Sequence, residues 1–325
     1  MNGERFSRAV RAIDGAGLGL SRRLALGLMG AGLIGLPDMA SAQARRPKSD
    51  RNKQGLVFGT WSLALQLWSV NDQLKQDVPG TLKHLKAIGY DVVETAGLMG
   101  LRPREYRRMI EDAGLVCRSA HTAMADLLDN LDQHIDDTKQ LGAEWLVCSS
   151  PNPPVPLPAN KDWLSAMRDA MTLDAWKTNA AALADMAPRV RRAGLKLAYH
   201  NHFMEFYDHG GITGYSLIAG ASEDLRLEVD LGWVKVGGAD PLSVVKQYAG
   251  RIDMLHVKDM VVDPSQPIGY RSVEVGKGII DWKPVLEAAR HEKVQMAIIE
   301  QEPPYVRDIF QSLTISRDYL LHFRT

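Results

Sequence analysis

The sequence lacks the features that mark the more specialised protein classes. Its two cysteines, Cys117 and Cys148, are too few for a disulfide scaffold, so a hydrophobic core must stabilise the fold. No apolar run reaches the roughly 18 residues that a membrane-spanning helix needs. Lys+Arg 39 balances Asp+Glu 39, which argues against a protein that binds nucleic acid by neutralising phosphates. The remaining composition, 45% hydrophobic and 24% charged over 325 residues, is that of an ordinary globular protein.

The N-terminal residues have the layout of an export signal. Arg22 and Arg23 precede an apolar run over residues 24–36, and small residues surround Ala42 and Ala44. The run is too short to act as a membrane anchor, and its glycines disfavour the alternative of an N-terminal helix of the fold. The paired arginines indicate a twin-arginine-type signal peptide over residues 1–44, although Ala25 and Gly27 depart from that motif.

We therefore expect cleavage after Ala42 or Ala44 and a periplasmic mature protein. Residues 45–55 are charged and interrupted by Gly and Pro, and they are interpreted as a disordered lead-in to a domain over residues 56–325. Because the twin-arginine route carries proteins already folded, often with a cofactor loaded, a metal is to be expected.

From about residue 56 onward, short apolar runs alternate with segments of helical periodicity. Gly89, Gly114 and Gly142 each separate a helical segment from the next apolar run, as helix C-caps do. Eight such units in about 260 residues predict a single (β/α)8 TIM barrel of the α/β class. No Gly-x-Gly-x-x-Gly follows the first run, which disfavours a doubly wound sheet. The predicted strands are 63–70, 91–95, 116–121, 145–149, 196–201, 225–231, 252–258 and 297–300.

Polar residues end seven of these eight runs, and in a barrel the C-terminal ends of the strands face the active site. Burying several carboxylates and imidazoles together at one end of a barrel is unfavourable in free energy unless they are paired or bind a metal. Such donors suit one divalent ion, Mn²⁺, Co²⁺, Zn²⁺ or Mg²⁺, and the alternative is a metal-free barrel with paired side chains. The residues are Glu94, His121, Ser149, His200 to His202, Asp230, His256 with Lys258, and Glu300 with Glu302.

A series of sequence segments, in order along the whole mature chain, resembles the sugar phosphate isomerase/epimerase family of xylose isomerase-like TIM barrels. The segments include Leu65 to Val70, Asp77 to Glu94, Tyr199 to Phe206, Glu228 to Asp230, Leu255 to Met260, Val275 to Trp282 and Ile299 to Glu302.

The resemblance implies one divalent metal held by side chains of strands five to eight. Asp230, His256 and Glu300 match the ligands of strands six to eight, and His200 stands where the ketose epimerases have a glutamate. In those epimerases the strand-five and strand-eight glutamates also act as paired bases, so His200 removes one of the pair. A histidine-rich strand five also resembles inosose dehydratases and exported barrels that process 3-keto-sugars and glycosides.

The reactions of these relatives begin by removing a proton from carbon next to a carbonyl. We predict Glu300, His202 and Glu205 as candidate bases, and Lys258 as a charge that stabilises a developing oxyanion or pairs with Asp259 or Glu302. For substrate binding we predict Trp68, Glu94 and His121. Glu94 can instead orient a metal-bound histidine, and His121 can serve as a base.

The sequence thus favours a metal-dependent isomerase or epimerase acting on a non-phosphorylated sugar or keto-sugar. A lyase or dehydratase that eliminates from such a substrate is the first alternative, and a non-catalytic carbohydrate-binding barrel is the second. A related nuclease is disfavoured because the chain lacks a basic groove. The expected partner is a small-molecule sugar, with no nucleic acid and no membrane span, and the number of subunits in an oligomer stays open.

Overall fold

The strand and helix alternation of the sequence forms a closed ring of eight parallel strands. The computed structural model describes residues 57–58 and 61–323. The first strand pairs with both the second and the eighth, which closes the barrel and confirms the predicted fold class. The strands are β1 (Trp61–Gln66), β2 (Val92–Ala96), β3 (Val116–Thr122), β4 (Trp145–Cys148), β5 (Lys196–His200), β6 (Leu225–Asp230), β7 (Ile252–Val257) and β8 (Met296–Ile299).

Helices cover the outside of this ring. Most begin at a residue whose side chain accepts a hydrogen bond from the first turn, as Thr172 and Asp308 do. Several helices end at or near a glycine with positive φ, which turns the chain toward the next strand, as Gly142 does at φ 80°. The helices are Asn71–Gln76, Val78–Ala87, Pro103–Asp112, Met124–Leu141, Trp163–Ala170, Leu173–Arg192, Gly214–Ala219, Leu231–Val236, Pro241–Gln247, Trp282–His291 and Ile309–His322.

Three local features were not expected from the periodicity. The first predicted strand ends at Gln66, because its side chain accepts a hydrogen bond from Trp68 N and starts a 3-10 turn over Leu67–Val70. After β7 the chain forms an antiparallel hairpin of Asp259–Val262 and Tyr270–Val273. A two-residue strand, Val57–Phe58, pairs antiparallel with β1.

The barrel interior has an apolar layer below a polar one. Side chains two positions apart on a strand point to the same side, so an inward apolar residue predicts the next inward position. Ala198, Met254 and Ile298 belong to a buried apolar cluster inside the ring. The polar residues His200 and His256 each follow two positions later. The outward faces of the strands pack against the helices through two larger clusters.

No helix among the described residues is long and apolar enough to cross a membrane. The predicted signal peptide over residues 1–44 and the lead-in over 45–55 lie outside the described residues.

Candidate metal centre and its cavity

A cavity of about 750 Å³ opens at the C-terminal ends of the strands. It brings together five residues predicted to act in the site, namely Trp68, His121, His200, His202 and Glu300, with Ser149 and Glu302 beside them. The cavity therefore lies where a TIM barrel carries its active site.

The four predicted metal ligands converge on one another, and two of them, His200 and Glu300, line this cavity. His200, Asp230, His256 and Glu300 are all buried, and one donor atom of each lies within 4.8 Å of the others. We call these four residues the metal group. His256 Nδ1 is 2.9 Å from Glu300 Oε2 and 3.8 Å from Asp230 Oδ2, and His200 Nε2 is 3.6 Å from Asp230 Oδ2.

The hydrogen bonds of the metal group leave donors available to an ion. Neither ring nitrogen of His200 makes a hydrogen bond to any described residue, although both are buried. Asp230 caps the helix Leu231–Val236 by accepting from Trp233 N through Oδ1, which directs Oδ2 toward His200. Because a buried imidazole normally has a partner, the unpaired His200 fits a ligand position, and the nitrogen and oxygen donor set suits a divalent transition ion.

Ionisation of the carboxylates supports the same fit. Burial alone would raise the pKa of Glu300, but the Lys258 ammonium and His256 hold that pKa well below its ordinary value. Lys258 and the histidines likewise lower the pKa of Asp230 against the effect of burial. Both groups are therefore anionic donors at neutral pH.

His256 connects the metal group to a second cluster deeper in the barrel. Its Nε2 lies 2.8 Å from Glu94 Oε1 and 3.2 Å from Glu228 Oε2, and His121 Nε2 contacts the same oxygens at 2.9 and 2.7 Å. We call Glu94, His121, Glu228 and His256 the floor group. A proton on His256 Nε2 that is donated to Glu94 leaves Nδ1 free for a metal, as carboxylates behind metal-binding histidines do.

Glu94 lies behind His256, where the second of its two predicted roles requires it. It is fully buried, it does not line the cavity, and it also accepts a hydrogen bond from Gln66 Nε2 at 2.8 Å. His121 does line the cavity, and the adjacent Glu94 and Glu228 outweigh its burial and raise its pKa to about 9.

Glu228 is a member of the site to which the sequence assigned no role. It precedes Asp230 by two positions on β6, so both side chains point into the barrel. This spacing could have identified Glu228 from the sequence, since residues two positions apart on a strand face the same side and Asp230 was expected to face the barrel interior.

Lys258 is buried among carboxylates rather than exposed to the cavity. Its Nζ lies 3.1 Å from Asp230 Oδ2, 2.8 Å from Glu300 Oε2 and 2.6 Å from Glu302 Oε1, and it lies over the Trp233 ring. The structure therefore contains the predicted pair with Glu302. Asp259 has other partners, because its carboxylate accepts backbone hydrogen bonds from Gly276 and Gly278.

His202 and Glu205, two candidate bases, lie in different places. His202 lines the cavity between Trp163 and Trp233, its Nδ1 has no hydrogen bond, and burial holds its pKa well below the ordinary value. Glu205 accepts a hydrogen bond from the Tyr199 hydroxyl at 2.8 Å and does not line the cavity. The geometry brings His202 to the site and leaves Glu205 outside it.

Solved structures with the same fold include several carbohydrate enzymes. A sugar phosphate isomerase/epimerase from Parabacteroides distasonis superposes with a TM-score of 0.64 at 20% identity, covering 84% of this chain and 98% of that chain. An L-ribulose 3-epimerase gives 0.56 at 17% identity, with 80% and 93% covered. A xylose isomerase-like barrel from Mycobacterium smegmatis, solved in complex with magnesium, gives 0.58 at 15% identity, with 82% and 97% covered.

Curated relatives match a shorter part of the sequence. An inosose dehydratase from Lacticaseibacillus casei is 26% identical over 147 residues, which are 41% of this chain and 49% of that protein. The chain therefore spans about half the length of the curated relatives it matches. The model of one family matches residues 82–318, most of the barrel. The chain belongs to the xylose isomerase-like TIM barrel family, which includes isomerases, epimerases and dehydratases.

Proposed function

We propose that the protein is a divalent-metal-dependent isomerase or epimerase that removes a proton next to the carbonyl of a non-phosphorylated sugar or keto-sugar. The observation that carries this proposal is the metal group itself, two of whose members, His200 and Glu300, line one cavity together with His202. The likeness in fold to an L-ribulose 3-epimerase supports the same class of reaction.

The metal group supplies the ligands in this proposal. His200, Asp230, His256 and Glu300 hold a single divalent ion, Mn²⁺, Co²⁺, Zn²⁺ or Mg²⁺. When bound, the ion supplies Lewis-acid stabilisation of the negative charge that develops on the carbonyl oxygen, an effect of several kcal/mol. Lys258 adds a fixed positive charge beside Asp230 and Glu300.

Glu300 and His202 move the proton. Glu300 is ionised and exposes its carboxylate to the cavity, so it can accept a proton from substrate carbon. His202 lines the cavity, and burial holds its pKa well below the ordinary value, so its neutral ring can accept or return a proton at a second position. A positioned base of this kind contributes about 10²–10⁴-fold to the rate. Trp68 and His121 contact the substrate at the rim and wall of the cavity.

The charge of the cavity lining favours an uncharged substrate. Among the described residues, no lysine or arginine lines the cavity, whereas Asp126, Asp137, Glu300 and Glu302 do. Away from the metal group, a phosphate group would meet carboxylates there with no lysine or arginine among the described lining residues to bind it. The lining therefore supports a free sugar.

Elimination of water or an alcohol, as in a dehydratase, is the second candidate. His200 replaces the strand-five carboxylate that a symmetrical two-base epimerisation uses. The curated relatives are named as inosose dehydratases, and a probable 3-DHS dehydratase from Bacillus anthracis has the same fold with a TM-score of 0.57.

One experiment separates these reactions. Metal-loaded protein is incubated with a panel of keto-sugars in D₂O, and products are followed by NMR and mass spectrometry. Deuterium next to the carbonyl in a product of unchanged composition supports an isomerase or epimerase, and loss of water or alcohol supports a lyase. Binding of sugars without any deuterium uptake would contradict both and leave a carbohydrate-binding barrel.

Glu300→Gln tests the base within that assay. We expect deuterium uptake to fall by about 10²–10⁴-fold while the circular dichroism spectrum stays unchanged, because the amide cannot accept the proton. Glu287→Gln on the outer helix Trp282–His291 serves as the matched control. Full activity of Glu300→Gln would remove this residue from the mechanism.

We also propose that residues 1–44 direct export to the periplasm. The paired arginines, apolar run and small residues of the sequence support this location. Intact-mass analysis of the periplasmic fraction tests it, and a chain that keeps its N-terminus uncleaved in the cytoplasm would contradict it.

A further inference from the structure

Lys258 places a positive charge directly beside the metal group. Its Nζ lies 3.1 Å from Asp230 Oδ2 and 2.8 Å from Glu300 Oε2. The same two oxygens face the histidines of the group, since His256 Nδ1 is 2.9 Å from Glu300 Oε2 and His200 Nε2 is 3.6 Å from Asp230 Oδ2. The ammonium therefore contacts carboxylate oxygens that the metal group offers to a divalent ion.

The surrounding chain holds this ammonium where it is. Its Nζ lies 4.6 Å from the centre of the Trp233 ring and 2.6 Å from Glu302 Oε1. The backbone at Gly232 packs so closely on Lys258 that a Cβ there would lie 2.7 Å from the Lys258 carbonyl oxygen and 3.0 Å from its Cγ. Aromatic, carboxylate and backbone contacts thus fix the positive charge next to Asp230 and Glu300.

The charge of Lys258 acts on the carboxylates and not directly on a substrate. The residue is 0% exposed and is not among those that line the main cavity, whereas Glu300 and Glu302, two of its three partners, do line it. Buried carboxylates without a counter-charge strongly destabilise a fold, so the ammonium stabilises the metal-free protein. The same charge repels any cation that approaches the metal group.

We infer that Lys258 is a built-in counter-cation, which keeps the metal-free protein folded and limits how tightly the metal group holds its divalent ion. The inference rests on the proposed function in taking the metal group as the ligand set. It makes a distinctive prediction, because removing the ammonium should lower the stability of the metal-free protein and at the same time raise its metal affinity. Structural damage to the site would lower both.

Titration of Zn²⁺ in competition with a chromophoric chelator tests the effect on affinity. Lys258→Met should bind Zn²⁺ about 10–100-fold more tightly than wild type, because the four ligands remain and the repelling charge is gone. Lys283→Met, an exposed lysine on the outer helix Trp282–His291, is the matched control and should behave as wild type. His256→Ala, which lacks a ligand, measures the Zn²⁺ bound elsewhere on the protein. An affinity of Lys258→Met equal to or below that of wild type would overturn the inference.

Urea unfolding with and without Zn²⁺ tests the effect on stability. Without metal, the unfolding midpoint of Lys258→Met should lie below that of wild type, and saturating Zn²⁺ should raise it by more than it raises the wild-type midpoint. A metal-free midpoint equal to wild type would overturn the counter-cation role. If the metal-free variant does not fold, the inference requires that it fold when Zn²⁺ is added, because the ion replaces the lost positive charge. A variant that stays unfolded in saturating Zn²⁺ would overturn it.

The same measurements separate this inference from the proposed function. Tighter Zn²⁺ binding by Lys258→Met, with no deuterium exchange into keto-sugars by either protein, would uphold the counter-cation while the proposed reaction fails. Deuterium exchange by the wild type, with Zn²⁺ affinity unchanged in Lys258→Met, would uphold the reaction and overturn the counter-cation. Zn²⁺ binding by wild type and Lys258→Met that does not exceed that of His256→Ala would overturn both.

Discussion

The metal group and the floor group share His256 but differ in how their other donor atoms are satisfied. In the floor group, the Nε2 atoms of both histidines lie within 3.2 Å of carboxylate oxygens, and Gln66 adds a further donor to Glu94. In the metal group, His200 is buried, and neither of its ring nitrogens has a hydrogen-bond partner among residues 57–58 and 61–323. Both ring nitrogens of His256 thus face a carboxylate, at 2.9 Å for Nδ1 and 2.8 Å for Nε2, and the two groups differ in the hydrogen bonding of their second histidine.

That difference assigns separate roles to two groups of nearly identical composition. Imidazole protons already satisfy the near carboxylate oxygens of the floor group, so that group fixes the orientation and protonation of His256. Within the described part of the chain neither ring nitrogen of His200 has a hydrogen-bond partner, so the metal group is the one that fits an added cation. Counting His, Asp and Glu residues alone does not distinguish the two.

The largest effect on metal content and stability is expected at His256, the residue that both groups share. His256→Ala should reduce bound metal from about one equivalent to none and destabilise the fold by about 3–5 kcal/mol, because buried carboxylates on both sides lose their partner. Elemental analysis of chelator-free protein and urea unfolding measure the two effects. His291→Ala, on the surface, should change neither. Metal content and stability equal to wild type would contradict the shared role of His256.

A change confined to the floor group should weaken metal binding without abolishing it. Glu228→Gln keeps the side-chain size but loses the charge facing His121 and His256, so metal affinity should fall by about 10–100-fold. Competition with a chromophoric chelator measures this affinity, and the exposed Glu223→Gln is the control. An affinity equal to wild type would mean that the floor group does not tune the metal group.

An effect on stability alone, with none on metal binding, is expected outside both groups, at Glu205. Burial raises the pKa of Glu205 to about 7 from an ordinary 4.5, so its contribution to folding is complete below about pH 4.5 and is lost as pH rises to about 7. Glu205→Gln lacks this dependence. Its free energy of unfolding relative to wild type should therefore rise between pH 4.5 and 8, by at most about 3 kcal/mol.

Urea unfolding at several pH values measures that difference, and metal content should be unchanged throughout because Glu205 contacts neither group. A constant stability difference across this range would show that Glu205 is ionised in the folded protein. Metal loss in this variant would contradict its placement outside the site.

Local patterns were sufficient to predict most of the fold. The eight apolar runs correspond to β1–β8. Short apolar runs that alternate with helical segments form the strands of a parallel sheet, so the alternation alone was enough to locate them. The end of the first strand was misplaced, since the turn at Leu67 depends on a hydrogen bond from Trp68 N to the Gln66 side chain that periodicity does not encode. The hairpin Asp259 to Val273 was missed for a similar reason, as Asp259 organises it through contacts with distant glycines.

The sequence by itself determined which side chains face the barrel mouth, because strand alternation and parallel order place them there once eight strands are counted. It therefore brought His200, Asp230, His256 and Glu300 to one place without any local motif. Only the tertiary structure decided that Glu94 and Glu228 contact Nε2 of His256. It also decided that Lys258 pairs with carboxylates and that Glu205 lies outside the site. Those outcomes depend on distances between side chains from strands far apart in sequence, and it is these distances that set which charges are satisfied and which remain open to a ligand.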